Sequence, residues 1–298
     1  MSLSPFQRLP AELLVLIYNN LPRIKDAVSL ALTCKKSYAL FERFEDRAKI
    51  IYSIVDNIPT SLPAGYPTRS WLEGYFPPDT PFWTPTTAKQ IPTELVHEET
   101  LAFLRTTGFP ILECERLDFS SKDLESAKPD NNDNGGEEEE EEEEEEKAPV
   151  SGSNKHESSR PESPRDDDDE EESGKEDDSD SDEQEQGADP LYIGTWFSQH
   201  IAVDTATGKI QHRSWDDEDE NEDIAENVGR FLVLLGVIRS TMCDLQISGL
   251  QRFRKEQIER DEEVEEVVLE KLFEGLGAFD AFVKEAGAWD WICNYLST

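Results

Sequence analysis

The chain has 298 residues, of which 67 are Asp or Glu and 29 are Lys or Arg, for a formal charge of −38. A surface so negative repels phosphate backbones, which excludes nucleic-acid binding of the ordinary kind. Cys34, Cys114, Cys243 and Cys293 form no CxxC pair, which excludes a disulfide framework or a zinc finger and points to a reduced, intracellular setting.

The opening MSLSPFQRLP has neither a basic n-region nor an apolar h-region. Residues 9 to 44 then predict three short helices. The first runs from about Pro10 to Asn20, with Leu13, Leu16, Ile17 and Leu21 at helical spacing. Pro22 stops it. Lys25 to Leu32 forms the second and Cys34 to Phe44 the third, the latter with Tyr38, Leu40 and Phe41 as its apolar residues. Three helices this short bury little surface, so some of their apolar face should hold a partner.

Between Pro59 and Pro92 eight prolines interleave with Tyr66, Trp71, Tyr75, Phe76, Phe82 and Trp83. Flexible linkers lack aromatics, so this segment should be ordered and packed on the domain C-terminal to it. Thr93 is the expected N-cap of a helix over Glu94 to Thr106, with His97, Leu101 and Leu104 on one face, ended by Gly108. Phe109 to Leu112 and Arg116 to Phe119 read as short strands.

From Ser120 to Asp189 there are 31 acidic against 7 basic residues, including ten consecutive glutamates at 137–146, leaving 36 acidic against 22 basic elsewhere. Self-repulsion and the lack of apolar side chains predict a disordered insertion, tolerated as a loop because closure entropy grows slowly with length. Ser173 and Ser179, each with an acid three residues on, suit an acid-directed kinase, although plain solvation explains the tract as well.

Beyond the tract, Leu191 to Phe197, His200 to Asp204 and Gly208 to His212 predict an antiparallel meander. A helix from about Asp223 to Leu245 carries Val228, Phe231, Leu232, Leu235, Ile238, Met242 and Leu245 in one stripe, so one side of it should cover the sheet. A glutamate-rich helix is expected from about Gln251 to Phe273, and AWDWICNYL should dock as a short helix through Trp289, Ile292, Cys293 and Leu296. No transmembrane segment is expected, since the longest aliphatic run, Phe231 to Ile238, is far below the ~18 residues a span requires.

Leu9-Pro10-x-Glu12-Leu13, Ile17, Leu21-Pro22 and Leu30-Ala31-Leu32-Thr33-Cys34-Lys35 together resemble the F-box motif over its length of about 40 residues. The chain departs from the motif at Ile24 to Val28, where an acidic residue followed by Leu is more usual. The resemblance implies docking on the Skp-type adaptor and the cullin core of a ubiquitin ligase through Leu9, Pro10, Leu13, Ile17, Leu21 and Leu30. Some of these side chains must also form the core of the helical unit.

The order TLAFLRTTGFP, ECERLDFSS, LYIGTWF, HIAVDTATGKIQ, NVGRFLVLLGVI resembles the SUKH superfamily, in its immunity-protein-like branch, over roughly residues 94 to 245. That resemblance implies a non-catalytic α+β domain that binds other proteins. The fold class expected is therefore α+β: an F-box at 1–57, the first part of the SUKH-like domain at 58–119, the acidic insertion at 120–189, and the remainder at 190–298.

Sites of chemistry are not expected. Asp204 to Lys209 lacks the first glycine of a phosphate loop and reads as a hairpin turn. Asp217, Asp219, Asn221 and Asp223 alternate like calcium ligands, but Glu222 stands where a glycine is needed and Val228 where a glutamate is. His97, His156, His200 and His212 have no metal-site spacing. The expectation is a substrate-recruiting adaptor, cytoplasmic or nuclear, needing no cofactor or metal and having no catalytic residues, with an unknown protein target and no nucleic-acid or membrane partner; the alternative is a scaffold whose F-box sets its own turnover.

Overall fold

The computed structural model describes residues 8–87, 90–126, 190–214, 221–247 and 255–296. The architecture is mixed α+β. The described residues form one compact unit, and residues 130–187 lie outside the described residues. Ser173, Ser179, His156, Asp217 and Asp219 lie outside them too.

Four helices open the chain: α1 (Ala11–Asn19), α2 (Ile24–Ala31), α3 (Lys35–Glu42) and α4 (Phe44–Asn57). α4 takes up Phe44, expected as the end of α3, because Arg43 leaves the helical region at ψ 120° and divides the two. Its Glu45 and Asp46 suit the positive end of the helix dipole, and Ile50, Ile51, Ile54 and Val55 are buried. Cys34 caps α3, its sulfur accepting from the Ser37 amide at 3.4 Å.

The proline and aromatic segment is ordered, as its composition predicts. Thr68 caps α5 (Arg69–Tyr75), whose Leu72 is buried along with Phe76 and Trp83. Trp83 lies in β1 (Phe82–Trp83), which pairs antiparallel with β2 (Phe109–Pro110). Between them runs α6 (Glu98–Thr106), capped by His97 rather than by Thr93. The helix starts late because Pro92 to Leu95 closes a turn of its own and the Val96 amide donates outward, to the Thr205 carbonyl at 3.1 Å.

A six-stranded antiparallel sheet comes next, in chain order: β3 (Glu113–Cys114), β4 (Phe119–Ser120), β5 (Leu191–Trp196), β6 (Gln199–Val203), β7 (Ile210–Arg213) and β8 (Glu222–Ala225). β4 pairs with β5 through Phe119↔Trp196 and Ser120↔Thr195, so strands on either side of the acidic tract share one sheet. Gly194 permits that pairing: a Cβ there would lie 2.5 Å from the Ser120 carbonyl oxygen. The strand expected at Arg116 is a 3-10 turn, Glu115–Leu117, followed by Asp118 at φ 47°.

The insertion begins later than the composition suggests. Ser120 is in β4, the Ser121 hydroxyl donates to the Pro110 carbonyl at 2.8 Å and accepts from the Leu112 amide at 3.0 Å, and Leu124 of α7 (Asp123–Ser126) is buried. Asp223, expected as the start of the long helix, belongs with Glu222 to β8. Asp223 pairs instead with Lys209 at 2.6 Å and with the Gln211 side-chain amide at 3.1 Å, which removes it from any cation loop.

The long helix α8 (Val228–Ile247) starts where the Asn227 side chain accepts from the Arg230 amide at 3.0 Å. The spacing predicts one buried face; in fact every residue from Phe231 to Ile238 is buried. Phe231 meets Phe119 and Trp196 of the sheet, at 5.8 and 5.9 Å between ring centroids, while the backbone at Gly236 lies against Tyr75 and Phe76. α9 (Lys255–Phe279) buries Val264, Val268, Leu269, Leu272 and Leu276 and ties to α4 through Lys271 and Asp56 at 2.8 Å. It ends six residues beyond the expected Phe273. After α10 (Phe282–Glu285), α11 (Gly287–Leu296) docks by Trp289, whose indole donates to the Ile224 carbonyl at 2.7 Å.

The N-terminal helices share this core. The Arg23 guanidinium, at the start of α2, pairs with Asp244 of α8 at 3.3 Å, donates to Ser240, and lies over the Tyr75 ring at 5.0 Å. Burial pushes the Asp244 carboxyl up in pKa against the pull of Arg23. The helices before residue 57 thus pack directly on α8 and α9. Among the described residues, no helix is long and apolar enough to cross a membrane.

Candidate docking surface

α1 holds apolar residues around most of its circumference but has core to bury only one side. Leu14 and Tyr18 point inward and have no exposed surface. The Tyr18 hydroxyl bonds the Ser37 hydroxyl at 2.7 Å, its ring stacks on Phe41, and burial raises its pKa. On the other side, Leu13 is 45% and Leu16 58% exposed. The Lys36 ammonium donates to the Leu9 carbonyl and fastens the start of α1 to α3.

The six residues expected at the docking surface divide. Pro10 is exposed and precedes α1 at φ −55°, and Leu13 faces outward from the first turn. Leu9 and Ile17 are half-buried; Ile17, at i+4 from Leu13, shares its side of the helix, and Leu9 lies just before α1. Leu21 and Leu30 pack against the core and hold the helices together.

Three further apolar residues of these helices are exposed. Leu16 sits in the same apolar stripe as Leu13; Leu32, just after α2, is 73% exposed; Tyr38 of α3 is 44% exposed. Ala31, Leu32, Cys34, Lys35, Tyr38, Ala39 and Glu42 line an open groove of about 480 Å³. Lys35 and Glu42 give it a mixed-charge rim. Large apolar side chains each gain about 1.5–3 kcal/mol on full burial, so a partner covering Leu13, Leu16 and Leu32 has a substantial driving force available.

The remaining candidates serve the fold. His97 Nδ1 bonds the Thr100 hydroxyl at 2.9 Å, and the His97 ring lies where a side chain on Gly208 would be. His200 packs against Tyr192 at 4.7 Å. The Asp204 carboxylate, although burial opposes it, is held low in pKa by bonds from Thr207 and the Ala206 amide; with Gly208 at φ 76° these make the hairpin turn. Among the described residues, no three His, Cys, Asp or Glu side chains cluster as a metal site.

No protein-family model, curated protein or solved structure matches the chain.

Proposed function

We propose that the chain is a non-catalytic adaptor: its N-terminal helices dock, in the manner of an F-box, on the Skp-type adaptor of a cullin-RING ubiquitin ligase, and its SUKH-like α+β part holds a protein target for ubiquitin transfer. The observation that carries the reading is the exposure of Leu13, Leu16 and Leu32 within the segment whose sequence resembles the motif. A leucine left in water at each of these positions has no role in the core that α1 to α3 build. The continuous packing of α2 and α4 on α8 and α9 supports a rigid link between ligase and target, since a target held on the α+β part would keep a fixed distance from the ligase.

The test is capture of purified Skp-type adaptor by the full chain and by Leu13→Ser with Leu16→Ser. Loss of capture by at least about tenfold, at an unchanged melting temperature, is the expected result, because truncating central apolar anchors typically costs about 2 kcal/mol or more. Undiminished capture by the folded double variant would sink the reading.

A further inference from the structure

The β5–β6 hairpin and α11 enclose a cavity of about 290 Å³ lined by Trp196, Phe197, Gln199, His212, Ala288 and Trp291. It is remote in sequence from the leucine surface and uses none of its residues.

The tip of this hairpin is unusual. Phe197 and Ser198 both have positive φ, 50° and 64°, in the two-residue turn closed by the Trp196↔Gln199 pair. Asn and Gly normally fill such a turn, and a bulky aromatic there is strained. The strain holds the Phe197 ring edge-on to Trp291 and Tyr295, which are 48% exposed each, and parallel to Trp196 at 6.0 Å. Strained residues that persist mark sites where placement of a side chain matters.

The His212 ring puts an acceptor at the cavity. The His212 ring bonds the Trp196 backbone carbonyl, and burial holds the imidazole neutral, so one nitrogen donates and the other carries a lone pair. That second nitrogen, Nε2, is buried and has no partner. The Gln199 side-chain carbonyl is a further acceptor. The first amides of α11, Gly287 and Ala288, both bond the Glu222 carboxylate, at 2.6 and 3.0 Å, which closes that helix end to anions.

We propose that this cavity binds a guanidinium group, the arginine side chain of a peptide. Aromatic faces attract cations, and a guanidinium is flat, weakly hydrated and rich in N–H donors, so it stacks on indole while supplying the donor that Nε2 lacks. The net charge of −38 favours the same ligand over an acidic one. Nε2 is buried, so contact with it requires a local shift of the lining.

Titration of the full chain with acetyl-Gly-Arg-Gly-amide, followed by the indole N–H resonances of Trp196 and Trp291, tests this directly. The same peptide with lysine, citrulline or norleucine in place of arginine separates charge, shape and apolar contact. Saturable shifts are expected with arginine, at least about fivefold tighter than with any of the other three, and weakened about fivefold or more by Trp291→Ala, an exposed site where folding is preserved. His212→Phe should weaken binding similarly; if that chain does not fold, Trp291→Ala decides alone. Equal binding by the norleucine, citrulline or lysine peptide, absence of arginine-peptide binding at about 10 mM, or full affinity in Trp291→Ala would each overturn the assignment.

Discussion

α1 and α8 are both built from runs of leucine, valine and isoleucine, and they meet opposite fates. α8 carries FLVLLGVI and buries all of it, between the sheet on one side and α2, α5 and α6 on the others. α1 carries LLVLI and buries only Leu14 completely, leaving Leu13 and Leu16 outside. Composition is nearly the same, and the number of neighbours differs. A central helix needs apolar residues on every side, whereas a peripheral helix with apolar residues on every side has a side to spare for another molecule.

The largest test of this contrast is to cut the chain between residues 129 and 188. Phe231 of α8 packs on Phe119 from before the acidic tract and on Trp196 from after it, and the Trp196 indole donates to the Leu117 carbonyl at 2.7 Å. Each fragment alone loses one side of this cluster and exposes a sheet edge. Residues 1–129 and 188–298 should each fail to show a cooperative melt when expressed separately, and co-expression should restore one. A sharp melt from residues 188–298 alone would mean that α8 does not depend on its first-half neighbours.

Within the intact chain, Phe231→Ala should cost about 3–5 kcal/mol in denaturant unfolding, the range for an aromatic with no exposed surface. Asp244→Ala should cost about 3 kcal/mol, because it strands the Arg23 charge in a nearly closed site. Most of the second loss should be recovered by adding Arg23→Met, which removes the orphaned charge. Failure of that recovery would show that Ser240 and Tyr75, rather than the ion pair, hold α2 on α8.

These contacts also show what the sequence did and did not disclose. Hydrophobic period located α1 to α3, the β5–β7 meander and α8, since each has a run of its own. It did not disclose that α8 is buried all round, because that depends on α2 and α5, which lie far away in the sequence. β8 is hidden by its acids: Asp223 reads as a helix start, and only the fold brings Lys209 and the Gln211 amide to it. The late start of α6 comes from a bond between Val96 and Thr205, partners so far apart in the chain that no local pattern contains it. Of the candidate surface, the motif identified the segment, and Leu16 stood in its stripe. Leu32 and Tyr38 as exposed residues required the fold, because period alone does not say which side of a short helix is covered.

A smaller effect is expected from pH. Burial pulls the His212 pKa below its usual 6.5, so the unfolded chain binds more protons than the fold does as pH falls. The stability from His212 is complete above pH 6.5 and is lost as pH falls through the depressed folded value. The difference in melting temperature between wild type and His212→Phe should therefore shift in favour of the variant as pH drops from about 7 toward about 5. A difference that does not change with pH would mean that His212 titrates as it does in the unfolded chain.

The smallest expected effect on stability belongs to Leu16, which lies on α1 two positions from Leu14. Leu14 has no exposed surface and Leu16 is 58% exposed. Leu14→Ala should cost about 2–5 kcal/mol, the range for truncating a buried leucine. Leu16→Ser should stay within about 0.5 kcal/mol of wild type, as for surface changes that break no cap, pair or core contact. Its effect belongs instead to binding, where it should weaken capture of a Skp-type adaptor. Chemical denaturation with both variants measures the first difference, and a pull-down with Leu16→Ser measures the second. If Leu16→Ser destabilised the chain as strongly as Leu14→Ala, the outer side of α1 would be part of this protein's own core and not a surface kept for a partner.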